Sequence, residues 1–165
     1  MITFKGKEVK LNGKLPKLGE YAPNFVVVDR ELKEKTLNDF SDRIRIISSV
    51  PSLDTSVCSI ETKKIEEMMK KFSDEFVFLT VSMDLPFAQS RWCGVNNVEK
   101  VITLSDYKYK SFGLNYGVYV SELGLLARAI FIVDKDNKLR YIQLVNEITN
   151  EPNYEDIESA LVNIK

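Results

Sequence analysis

Histidine is absent from this 165-residue sequence, cysteine occurs twice and tryptophan once. Without an imidazole base, neither a Ser-His-Asp hydrolase nor a Cys-His protease can be assembled, and a four-ligand Cys/His zinc site lacks its ligands. Phosphate-cradling loops are missing too, since neither G-x-G-x-x-G nor G-x-x-x-x-G-K-[ST] occurs. There is no basic excess: 23 Lys and Arg against 24 Asp and Glu give a net charge of −1. Nucleic acid is therefore not an expected partner. No apolar run reaches membrane-spanning length, and M-I-T-F-K-G-K-E-V-K lacks the apolar core of a signal peptide. These absences lead us to expect a soluble, cytoplasmic protein. Two cysteines in that compartment would pair transiently rather than as a structural bridge. What remains is chemistry that a cysteine can perform without metal, haem, flavin or another cofactor.

With 44% hydrophobic residues and neither repeats nor low-complexity linkers, residues 1–165 read as a single domain able to bury a real core. Residues 3–11 alternate around Lys5-Gly6-Lys7, which predicts a β-hairpin. Short strands are expected at 25–28 and 36–37, and a buried strand at 43–50. Residues 55–72 carry Val57, Ile60, Ile65, Met68, Met69 and Phe72 at helical spacing, with Glu66-Lys70 and Glu67-Lys71 in the favoured i,i+4 order. The charges of E-T-K-K-I-E-E-M-M-K-K read as a solvated helix face. A second apolar run at 76–81 is followed by Asp84 and Pro86 as helix starts and Gly94 as a stop. Trp92 and Phe87 are expected in the core. Strands at 101–104, 129–133 and 139–145, with a turn at 134–137 and a closing helix at 154–164, complete the pattern. A parallel βαβ half joined to an antiparallel half is an α/β, thioredoxin-like arrangement.

Residues 51–58, P-S-L-D-T-S-V-C, follow the C-terminal end of a strand, where α/β proteins form their ligand crevice. Cys58 then falls in a first helical turn, where free backbone N–H groups and the helix dipole favour thiolate over thiol. A lone cysteine is more often a small core residue, but its position after Pro51 and Thr55 argues otherwise. Thr55 reads equally as a helix cap and as a hydroxyl near the sulfur. Pro51 reads equally as a strand end and as a shield that adds no competing N–H.

Pro51, Thr55 and Cys58 reproduce the P-x-x-x-T-x-x-C signature of peroxiredoxins, and G-E-Y-A-P-N-F at 19–25 resembles their G-x-x-A-P-x-F segment. A second cysteine 35 positions on, in F-A-Q-S-R-W-C-G, together with the hairpin and L-G-L-L-A-R-A, is similar to the thiol peroxidase subfamily of atypical two-cysteine peroxiredoxins. The resemblance covers essentially the whole chain. It implies a peroxiredoxin-type thioredoxin-like fold, a hydroperoxide substrate, Cys58 as the peroxidatic and Cys93 as the resolving cysteine, and Thr55 and Arg128 as groups holding peroxide and thiolate. It also implies recycling by thioredoxin and a homodimeric assembly.

An antiparallel pairing of 129–133 with 43–50 would bring Arg128 to the edge where Cys58 sits; the plainer reading is a strand-edge arginine paired with an acid. Cys93, near the end of a helix beginning about Leu85, should lie roughly 12 Å beyond the sheet edge at ~1.5 Å rise per residue. The reduced cysteines are therefore expected to be too far apart to bond without local unwinding. A C-x-x-C disulfide oxidoreductase is disfavoured by the wide spacing. A non-enzymatic peroxide sensor using the same two cysteines is the alternative function.

Overall fold

The computed structural model describes residues 1–164. The chain opens with an antiparallel hairpin, β1 (Ile2–Phe4) and β2 (Lys7–Val9). Lys5 and Gly6 both adopt positive φ, 52° and 78°, as a two-residue hairpin turn of matching twist requires. The hairpin is stitched to a distant segment: Thr3 N–H donates to the Asn146 carbonyl at 2.7 Å, and Ile148 N–H donates to the Thr3 carbonyl at 2.8 Å.

Next come β3 (Val26–Val28), β4 (Glu34–Thr36), β5 (Ile44–Ser49), α1 (Ser56–Met69), β6 (Phe76–Ser82), α2 (Pro86–Asn96) and β7 (Val101–Ser105). They are followed by α3 (Ser111–Asn115), the small pair β8 (Tyr119–Val120) and β9 (Leu125–Leu126), then β10 (Ala129–Val133), β11 (Leu139–Leu144) and α4 (Tyr154–Val162). The main sheet has the order β11-β10-β5-β6-β7-β3-β4. β5, β6 and β7 are parallel, whereas β10 runs antiparallel to β5 and β3 antiparallel to β7. The expected α/β arrangement with its N-terminal hairpin is present.

Alternation along the central strands divides the core. Ile44, Ile46, Phe76, Phe78, Ile130 and Ile132 face Ile65, Met68 and Met69 of α1, Trp92 and Cys93 of α2, and Ile157 and Leu161 of α4. Ile47, Val77, Leu79, Phe131 and Val133 face the opposite side, where Phe25, Phe112 and Tyr116 pack. Phe112 and Tyr116 stack at 4.6 Å between ring centroids. Asp106 fixes the start of α3 by accepting from Phe112 N–H at 3.0 Å and Gly113 N–H at 2.8 Å.

Several local expectations are corrected. Leu37 begins a 3₁₀ turn at Leu37–Phe40 rather than ending a strand. Gly94 does not stop α2; the helix continues to Asn96 and ends where Asn97 turns left-handed at φ 54°. Phe87 is 68% exposed, because it lies two positions before buried Gln89, roughly 200° around the helix. Trp92 is buried as expected. The charged stretch of α1 is not uniformly solvated: Glu61 and Glu66 are buried. Glu66 accepts backbone N–H bonds from Glu99, Lys100 and Val101 instead of facing Lys70. Lys70 pairs with Glu67, and Lys71 with Glu158.

Candidate active site

The crossover from β5 to α1 creates the site. Val50 and Pro51 are buried at the strand's end, and Thr55 is the N-cap of α1 in extended conformation. Thr55 Oγ1 accepts from Cys58 N–H at 3.3 Å and donates to the Ser52 carbonyl at 3.0 Å. Its hydroxyl thus serves as a cap, and it holds the first turn that carries the thiol. Cys58 is fully buried.

Arg128 reaches the sulfur from the other side. The β5–β10 register pairs Ala129 with Ser49, so Arg128 stands at the same sheet edge as Cys58. It shares the face of Ile130 and Ile132 by alternation. Its guanidinium is fixed at three points: Nη2 donates to Cys58 Sγ at 3.2 Å, Nε donates to the Ile148 carbonyl at 2.9 Å, and Nη1 donates to Glu61 Oε2. Glu61 in turn accepts from Ser48 Oγ at 2.8 Å. Both members of the Arg128–Glu61 pair are buried.

The electrostatics follow from this packing. Burial works against the Arg128 charge, but Glu61 and Cys58 outweigh it and hold its pKa above the ordinary arginine value. Burial pushes the Glu61 carboxyl up, against Arg128 and Ser48, which favour its anion. The outer side of the site is a cavity of about 320 Å³ lined by Pro51, Thr55, Val57, Arg128, Ile148 and, from the N-terminal hairpin, Phe4. The cavity is mostly apolar, its cations are Lys5 of the hairpin turn and the Arg128 guanidinium that donates to the buried Cys58 sulfur behind it, and such an environment can stabilise a sulfur anion and charge appearing on a bound oxygen.

Cys93 is elsewhere. It is buried in α2, and its sulfur lies 3.8 Å from Thr103 Oγ1 in the middle of β7. Burial pushes the Cys93 thiol up, opposed by the Thr103 contact. Both cysteines are free. Their partners, Arg128 at the start of β10 and Thr103 on β7, belong to strands three places apart in the sheet, on the order of 14 Å at the usual strand spacing. Cys58, Thr55, Pro51 and Arg128 are therefore brought together, and Cys93 is not. Among the described residues, no group of three or more His, Cys, Asp or Glu side chains is placed to hold a metal, and no helix is long and apolar enough to cross a membrane.

A family model described as Redoxin matches residues 17–157. The chain belongs to the Redoxin family. Within it, the chain is 48% identical over 165 residues to a thiol peroxidase of Bacillus subtilis, covering 99% of this chain and 98% of the relative. It is 45% identical to a thiol peroxidase of Staphylococcus epidermidis, again covering 99% and 98%. The crystal structure of a peroxiredoxin-like protein from Aquifex aeolicus superposes with a TM-score of 0.93 at 44% identity, covering 99% of this chain and 96% of that one. This Redoxin family member is thus a thiol-dependent peroxidase of the peroxiredoxin type, with the thioredoxin-like fold that its sequence resemblance implied.

Sequence reasoning missed Glu61, Ser48 and the Ile148 carbonyl. For Glu61 a signal existed: positions 58, 61, 65 and 68 follow the i, i+3, i+7 spacing of one helix face. That places this glutamate on the side of the cysteine rather than of the lysines.

Proposed function

We propose that the protein reduces hydrogen peroxide and organic hydroperoxides through a Cys58 sulfenic acid and an intramolecular Cys58–Cys93 disulfide that thioredoxin reduces. The observation that carries this reading is the Arg128 Nη2 to Cys58 Sγ hydrogen bond beside a largely apolar cavity. In this mechanism the Cys58 thiolate attacks one oxygen of the hydroperoxide and the O–O bond breaks. The departing oxygen takes a proton and leaves as water or alcohol. Arg128 stabilises the charge on that oxygen, Thr55 keeps the first turn of α1 in place, and Pro51 walls the site from water. The Cys93 sulfur then attacks the Cys58 sulfur, and the sulfenic oxygen leaves with the Cys93 proton as water. The apolar lining supports organic hydroperoxides as substrates, and two free cysteines suit a reducing, cytoplasmic setting. Action as a homodimer is part of the same proposal.

Peroxide consumption with thioredoxin, thioredoxin reductase and NADPH tests it at substoichiometric protein. Sustained turnover is expected from the wild type, none from Cys58→Ser, and about one equivalent from Cys93→Ser, because the first step needs only the thiolate. A wild type that stops after one equivalent would instead be a sensor.

A further inference from the structure

One carboxylate touches the approaches to both redox helices. Asp84 lies between β6 and α2, two residues before Pro86, the first residue of α2. Its Oδ1 accepts from Ser52 Oγ at 2.6 Å and its Oδ2 from Leu53 N–H at 2.8 Å, both in the loop leading to Cys58. Oδ2 also accepts from Ser82 Oγ at 2.8 Å at the end of β6, and the Asp84 carbonyl accepts from Ser105 Oγ at the end of β7. Leu53 is buried in the same apolar cluster as Trp92 and Cys93. The start of α2 has no side-chain cap of its own, since Leu85 occupies the N-cap. The other tie between loop and helix, Arg91 to Asp54 at 3.6 Å, is exposed and contributes little.

We propose that Asp84 is a positioning residue for the thiol chemistry, a latch that keeps the Cys58 loop and the Cys93 helix in their reduced arrangement and whose release precedes disulfide formation. The inference rests on the two-cysteine reading above. A disulfide needs Cα atoms within about 7 Å, and the two thiols are anchored three strands apart, so at least one helix must leave its place. Movement on the Cys58 side pulls Ser52 and Leu53 from the carboxylate. Movement on the Cys93 side strains the one-residue link, Leu85, between Asp84 and α2. These are hydrogen bonds to an anion, the stronger kind. The latch therefore governs how long the Cys58 sulfenic acid waits for Cys93. A second hydroperoxide can oxidise it to sulfinic acid during that wait, giving up one oxygen and leaving as water or alcohol.

The test is single-turnover oxidation of the reduced protein by hydrogen peroxide, comparing wild type, Asp84→Asn, Asp84→Ala and Ser52→Ala. Trp92 is the only tryptophan and neighbours Cys93, so its fluorescence reports movement of α2; mass spectrometry of quenched samples counts sulfenic, sulfinic and disulfide forms. The disulfide step should be roughly tenfold faster in Asp84→Ala, the factor carried by about one charge-assisted hydrogen bond. It should be accelerated less in Asp84→Asn and Ser52→Ala. Sulfinic acid at high peroxide should fall in the same order, while peroxide attack on Cys58 stays close to the wild-type rate. Ser52→Ala keeps the carboxylate with its two other bonds, so the comparison survives if Asp84→Ala does not fold. A purely structural role would lower the melting temperature without moving the partition between disulfide and sulfinic acid. Wild-type disulfide formation with unchanged or slower formation in the folded variants overturns the latch alone. A wild type that forms sulfenic acid but never the disulfide overturns the two-cysteine reading and the latch with it.

Discussion

Replacing Arg128 by methionine separates the two jobs of the guanidinium. Toward Cys58 it donates one hydrogen bond to an ionisable sulfur at 3.2 Å; such a bond contributes about 1.5–3 kcal/mol. Its loss should slow peroxide attack roughly 10- to 100-fold. Toward Glu61 it is the counter-charge of a fully buried carboxylate, and breaking a buried pair by removing one partner costs about 3–5 kcal/mol. The two losses can be told apart. Burial already pushes the Glu61 carboxyl up with Arg128 present, and without Arg128 it moves further up. A carboxyl whose folded pKa exceeds its unfolded value favours the fold in acid, and that contribution is lost as pH rises through the folded value. Arg128→Met should therefore be distinctly more stable near pH 5 than near pH 8. Adding Glu61→Gln removes the orphan charge and should recover most of the stability but none of the rate. Urea unfolding at both pH values, and rapid-mixing rates in a Cys93→Ser background, measure the two effects independently. An attack rate in Arg128→Met within about twofold of the parent, or a double variant that regains the rate, would refute the assignment.

Two further outcomes are expected. Because burial pushes the Cys93 thiol up and Arg128 Nη2 donates to the Cys58 sulfur, Cys58 is expected to be the thiol released when the disulfide is reduced. An incoming dithiol should attack the Cys93 sulfur; trapping with a thioredoxin lacking its second cysteine should give a mixed disulfide through Cys93 by mass spectrometry, and a link through Cys58 would contradict this. Asp106 is held up to about 6 by burial against an ordinary 3.8, so its share of stability is full below about pH 4 and lost as pH rises through about 6. This amounts to roughly 3 kcal/mol at 1.36 kcal/mol per unit, and chemical denaturation of Asp106→Asn should show a flatter decline between pH 4 and 7.

The parts of the fold and site that were legible in the sequence are those with long apolar runs or strong helical periodicity. The buried apolar runs that become β5, β6 and β10 and the amphipathic α1 fix a sheet edge. Pro51, Thr55, Cys58 and Arg128 then meet there as a matter of topology. The α3 helix and the β8–β9 pair were not legible, since five-residue and two-residue elements are too short to display a period. Glu61 was obscured because its charge was read before its position, and Phe87 because its aromatic character was. The stop at Asn97 was hidden by Gly94, which tolerates a helix interior when the following turn has a better left-handed residue.

The three-point fixation of Arg128 also bears on the order of synthesis. Cys58 is separated from Arg128 by 70 positions, and Arg128 from the Ile148 carbonyl that orients it by a further 20. At ~5–20 residues per second a ribosome needs on the order of ten seconds to make that stretch. Throughout that interval Cys58 has been translated, yet its guanidinium is missing for the first 70 positions and the carbonyl that aims it for the whole stretch. β5, the strand that delivers it, also lacks its β10 neighbour. The nascent Cys58 therefore lacks the hydrogen bond that Arg128 donates to it in the folded protein. That hydrogen bond forms only when β10 joins β5, so in the proposed mechanism the activation of the attacking sulfur comes with the closing of the sheet, and a half-made chain is spared oxidation there.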